Sequence, residues 1–180
     1  MNAFDGALTM LGLLIAGLVS MQTIDSRIVL STTLIAAVGS SVAMCVSGFS
    51  GAYLAETAER NRELADMRSS KKSEHVVTRY ADAAETTILV VALVDGLSPF
   101  IASMLIMFPL FLVPLGFVEH YAAFFTAILV CIGLLFLLGV FLGRVSRSSM
   151  WKGGGLTLLA GLMTALLITL IAMFTGIGTY

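Results

Sequence analysis

Two carboxylates, Asp5 and Asp95, stand in or at the edge of long apolar runs, and each is followed by glycine. An ionised carboxylate in a bilayer costs at least ~2.5 kcal/mol on insertion scales, so it usually faces a partner, a cavity or a substrate. Asp5 has Thr9 one turn later and Gly12 beyond it, which makes one thin, polar helix face. The competing reading places Asp5 at a helix N-terminus in the headgroup region, where the helix dipole favours an acid. Asp95 has Ser98 and Pro99 nearby; its competing reading is a position just ahead of the third helix. Of ten methionines, Met10, Met44, Met104 and Met107 fall within the apolar runs. Thioethers suit soft cations and can join a mixed site for iron(II), although packing is their commoner use.

A second group of candidate ligands lies in the charged stretch. Glu56, Glu59, Glu63 and Asp66 share one helix face by their spacing, and His75 follows Glu74 on the returning segment. Carboxylates so arranged suit a divalent cation at a point of entry; the alternative is a solvated helix neutralised by its interleaved arginines. His120, beside Glu119, reads as interfacial. Cys45 and Cys131 lie in apolar runs without CxxC spacing and read as small packing residues. No Walker loop, GxSxG or HExxH is present. The polar groups are too sparse for an enzyme, and no permanently bound cofactor or nucleic-acid partner is expected.

The elements that must hold these groups are apolar. Hydrophobic residues make up 58% of the 180, and charged residues 12%, about half the ~25% of a soluble domain. Residues Gly6 to Ile24, Ile28 to Ala55, Gly96 to Val118, Tyr121 to Gly143 and Gly153 to Tyr180 contain no Asp, Glu, Lys or Arg. Each is near or above the ~20 residues that cross a bilayer core as a helix, and none has the polar face of a soluble helix. The fold class is therefore all-α: an integral membrane protein of five transmembrane helices with a short cytoplasmic helical hairpin between helices 2 and 3. Residues 1–55 hold helices 1–2, 56–85 the charged segment and 86–180 helices 3–5, as one membrane domain. The start does not read as a signal peptide, because no Lys or Arg precedes the first apolar run.

Nine of the ten basic residues fall between helices 2 and 3 or helices 4 and 5; Arg27 alone follows helix 1. The positive-inside rule then puts the N-terminus and both basic loops in the cytoplasm and the C-terminus outside. Helix 1 carries Gly12, Ala16 and Ser20, and helix 2 carries Gly39, Ala43, Ser47, Gly51 and Ala55, each four apart. Small residues at that spacing let backbones approach closely, so these helices are expected to pack on each other or across a dimer. Helix 3, drawn from about Thr86, contains Pro99 and Pro109 and should bend. The charged segment reads as an extension of helix 2, a turn near Arg68 to Ser73 and a second short helix leading into helix 3. Trp151 and Tyr180 flank helix 5 as interfacial anchors would.

The segment DGALTMLGLLIAGL at the start resembles the first helix of the vacuolar iron transporter family, which opens on Asp-Gly. SGFSGAYLAETAER is similar to that family's Gly-Gly-Tyr-Leu-Ala element and the acidic helix after it. SPFIASMLIMFPLFLVP resembles its third helix and GGGLTLLAGLMTALLITLIAMFTG its fifth. The resemblance implies a dimer that exchanges iron(II) or manganese(II) for protons, with first helices lining the path and Asp5 as a membrane ligand. Where the family has Met before the Gly-Gly-Tyr element this chain has Gly48, and where it has Glu two turns earlier this chain has Ser40. Met44, one turn before Gly48 on the same face, is the candidate substitute.

The leading expectation is a divalent-cation transporter, a homodimer in a prokaryotic plasma membrane. Asp5, Met44 and Asp95 would serve in the membrane, and Glu56, Glu59, Glu63 and His75 at a cytoplasmic entry. The alternative is a non-transporting structural or assembly subunit that keeps the fold and has lost the ligands.

Overall fold

The computed structural model describes residues 2–70, 74–147 and 149–174. Among them the chain is entirely helical: α1 (Asn2–Ser20), α2 (Ser26–Ser69), α3 (Glu74–Phe111), α4 (His120–Val145) and α5 (Met150–Phe174). All five helices are long and apolar enough to cross a membrane. Lys71, Lys72, Ser73 and Tyr180, which the sequence places in the hairpin turn and at the outer anchor, lie outside the described residues.

At 1.5 Å per residue, the 44 residues of α2 reach about 66 Å and the 38 of α3 about 57 Å. Both overrun a hydrocarbon core of roughly 30 Å. The charged stretch is therefore the continuation of two long helices. This corrects the expected layout: α3 begins at Glu74 rather than near Thr86, and no separate short helix precedes it. The reason is local. Between Glu74 and Thr86 the chain has neither Gly nor Pro, and its alanines favour a helix.

The core forms where α1 is enclosed by the other helices. Met10 and Leu14 of α1, Ile106, Met107 and Leu110 of α3, and Phe124, Ala127, Cys131 and Leu135 of α4 are fully buried or nearly so. Ala123, Ala127, Cys131 and Leu135 recur at four-residue spacing and make one inward stripe on α4. Met10 and Met107 are thus packing residues. Outward faces carry large apolar side chains, such as Phe117 at 76% and Trp151 at 79% exposure. In water such surfaces would drive aggregation; against lipid tails they cost nothing.

Helices α1 and α2 do meet, with Thr33 of α2 3.1 Å from a Cβ built on Gly17 of α1, but other contacts of each helix are closer. The main partner of α2 is α3, through Gly96: a Cβ there would come within 2.8 Å of the Cys45 carbonyl and 2.9 Å of the Phe49 Cβ. On α1, Gly6 lies against Pro99 of α3, while Gly12 meets Ile168 of α5. The α2 stripe of Gly39, Ala43, Ser47, Gly51 and Ala55 is exposed along its length, and nothing lies within 4 Å of a Cβ built on Gly39 or Gly51. Thr157 ties α5 to α4 by donating to the Leu135 carbonyl at 2.9 Å. At the end away from the hairpin, the Tyr121 hydroxyl donates to the Met21 carbonyl at 3.3 Å.

Candidate functional site

Pro99 sits inside α3 without ending it. Proline has no N–H, so the carbonyl four residues earlier, that of Asp95, loses its helical donor. The Asn2 side chain replaces it: Nδ2 donates to the Asp95 oxygen at 3.2 Å. Around this repaired break three helices come close. Gly6 of α1 packs on Pro99, and a Cβ on Gly48 of α2 would stand 2.9 Å from the Asp95 oxygen and 3.3 Å from the Gly96 Cα. Glycine is required at 48 and 96 because backbone meets backbone there.

A cavity of about 170 Å³ opens at this junction, lined by Asn2, Asp5, Met44, Ser47, Gly48 and Pro99. Asn2 and Asp5 are three apart on α1, and Met44, Ser47 and Gly48 share a face of α2, so helical spacing presents both sets to one point. The walls offer a carboxylate, a carboxamide, a hydroxyl and a thioether, all capable of holding a cation. The Thr9 hydroxyl donates to the Asp5 main-chain carbonyl at 2.8 Å.

The structure thus brings Asp5 and Met44 together. Asp95, half-buried, does not line the cavity; its main-chain oxygen reaches the site only through the Asn2 amide. Ser40 does not line it either, and its hydroxyl turns back onto the Ala36 carbonyl.

The hairpin acids are arranged otherwise. Arg60 lies between Glu56 at 3.2 Å and Glu63 at 2.9 Å, and also donates to the Tyr80 hydroxyl of α3 at 3.1 Å. Tyr80 in turn donates to Glu63. These bonds, that from Tyr80 first and that from Arg60 second, hold the Glu63 carboxyl below its usual range. The Arg60 guanidinium is raised, chiefly by Tyr80 and then by Glu63. Glu59 and His75 are exposed. Among the described residues no three His, Cys, Asp or Glu side chains group as a metal cluster.

Sequence reasoning passed over Asn2, Ser47 as a lining residue, and Tyr80. Asn2 was within reach: it is three residues from Asp5, and counting four back from Pro99 arrives at Asp95. Tyr80 carried no such signal, because its partners lie on another helix.

No family model matches the chain, and no solved structure matches it. The chain is 30% identical over 171 residues to the uncharacterized protein MJ0645 of Methanocaldococcus jannaschii, an alignment covering 93% of this chain and 83% of that protein.

Proposed function

We propose that this chain, which belongs to the same family as the Methanocaldococcus jannaschii protein MJ0645, is an integral membrane carrier of divalent transition-metal cations. Iron(II) and manganese(II) are the favoured cargo, exchanged for protons, as in the vacuolar iron transporter family that the sequence resembles. The observation that carries the reading is the cavity holding Asp5 and Met44 beside Pro99 of α3. An acidic residue in an apolar helix commonly faces a cavity or a substrate. In this reading the Asp5 carboxylate is the group that metal ion and proton share in exchange, and the chain acts as a carrier rather than an enzyme.

In this reading the α2–α3 hairpin projects into the cytoplasm, in keeping with its basic residues. The C-terminus lies outside, and the membrane is a prokaryotic plasma membrane. Two copies pair through the exposed small-residue stripe of α2. Glu59 and the groove beside Glu63 and Asp66 form the approach from the cytoplasm.

A second reading is favoured by Gly48 and Ser40, where the resembled family has ligands. It makes the chain an assembly subunit that keeps the fold without transport. Manganese(II) and iron(II) uptake into proteoliposomes under a pH gradient separates the two. Uptake abolished by Asp5→Asn supports the carrier; no uptake by folded wild-type protein transfers the assignment to the subunit.

A further inference from the structure

Asp95 is not among the residues lining the cavity, but its main-chain oxygen lies directly behind two of them, Asn2 and Gly48. Pro99 has taken away its helical donor, and the donor that replaces it, the Asn2 amide at 3.2 Å, is itself a wall of the cavity. Gly48, another wall, keeps the oxygen uncovered. A Cβ at that position would stand 2.9 Å from the oxygen and 3.3 Å from the Asn2 nitrogen. One exchangeable side chain therefore separates a strong acceptor from the space where Asp5 and Met44 meet.

We infer that the Asp95 carbonyl is a ligand of the transported cation and that Asn2 is the group that covers and uncovers it. The inference rests on the reading of this cavity as a cation site. In the empty site the Asn2 N–H caps the oxygen, which would otherwise be left unpaired in apolar surroundings. When a cation enters, the carboxamide rotates and offers it Oδ1, and the Asp95 oxygen passes from the amide to the ion. In the empty state the Asp95 oxygen is paired with the amide, and in the occupied state with the ion. Main-chain carbonyls are ordinary ligands of hard divalent cations.

The donor set becomes the Asp5 carboxylate, the Asn2 and Asp95 carbonyl oxygens, the Ser47 hydroxyl and the Met44 thioether. Four oxygen donors against one sulfur favour manganese(II) or iron(II) over copper(I). Gly48 is then a gain to the site: the absent side chain admits a main-chain oxygen.

Binding of manganese(II) to the purified, detergent-solubilised chain, read by electron paramagnetic resonance of the free ion, tests this. Asn2→Ala removes a ligand and is expected to weaken binding about tenfold. Asn2→Asp keeps an oxygen ligand and should bind at least as tightly as wild type. Because an aspartate cannot cap the Asp95 carbonyl, a purely structural Asn2 would make the two variants equally weak, and that outcome overturns the proposal. Pro99→Ala returns an N–H to the Asp95 oxygen; it should raise the melting temperature while weakening manganese(II) binding, and unchanged binding also overturns the proposal. Binding that is lost in Asp5→Asn but untouched by Asn2→Ala and Pro99→Ala leaves the carrier reading standing without this ligand. Absence of wild-type binding removes both.

Discussion

Gly48 on α2 and Gly96 on α3 touch so closely that a Cβ on the first would lie 3.3 Å from the Cα of the second. This contact sets the spacing of the two long helices, and with it the width of the cavity beside Asp5. Small residues bring backbones together in a membrane because lipid supplies no hydrophobic drive for helices to associate. Gly96→Ala places a methyl 2.8 Å from the Cys45 carbonyl. We expect a loss of about 1–3 kcal/mol, the usual cost of overpacking, seen as a lower melting temperature in detergent. An unchanged melting temperature would mean that α2 and α3 are held apart elsewhere.

Gly51 provides the opposite case, since nothing lies within 4 Å of its added Cβ. Gly51→Ala should leave the protomer as stable or raise stability by up to ~1 kcal/mol through helix propensity. If two copies pair through the α2 stripe as proposed, Gly51→Ile should convert dimer to monomer on size exclusion with light scattering, without loss of helicity. A dimer that survives Gly51→Ile places the interface on another face.

The hairpin network is sensitive to acid. The Glu63 carboxyl is held below its usual value by Tyr80 and Arg60, so its ionised form is favoured by folding. That stabilisation is complete above the ordinary glutamate pKa of about 4.3 and is lost as pH falls through the lower folded value. Amide exchange in residues 56–69 and 74–85 should therefore quicken below pH ~4.3 relative to neutral pH, after correction for intrinsic rates. Glu63→Gln should abolish that dependence while leaving exchange in α4 untouched.

Tyr80→Phe removes the hydroxyl that bridges Arg60 and Glu63 across the two helices. Limited trypsin digestion at Arg60 and Arg79 should accelerate severalfold, while the membrane-embedded fragments stay intact. Equal digestion of mutant and wild type would show that the apolar contacts of Val77 and Ala84, both buried, suffice to hold the hairpin.

Thr157 is buried in α5 and donates to the Leu135 carbonyl of α4 at 2.9 Å. Interhelical hydrogen bonds in membranes contribute roughly 0.6–2 kcal/mol. Thr157→Val keeps the shape and should cost an amount in that range, whereas Thr169→Val should cost little, because Thr169 is exposed and bonds only one turn back to Ala165. Steric-trap or thermal unfolding of both variants gives the comparison.

The amino-acid sequence by itself determined the class of structure. Runs such as Tyr121 to Gly143 contain no charge, and a backbone in lipid must satisfy its own polar groups, so a helix is the available answer for each. It also singled out Asp5, because a carboxylate is conspicuous in apolar surroundings. The tertiary structure alone decided what those residues meet. Helical periodicity says which residues share a face but not which neighbour that face finds. The close pairing of α2 with α3 follows from backbone contacts at Gly48 and Gly96 that no local pattern announces. For the same reason the contact of Asp95 with α1 runs through its carbonyl, which accepts from Asn2. That choice depends on a proline one turn away, on an asparagine 93 residues distant in the chain, and on the space that a glycine leaves between them.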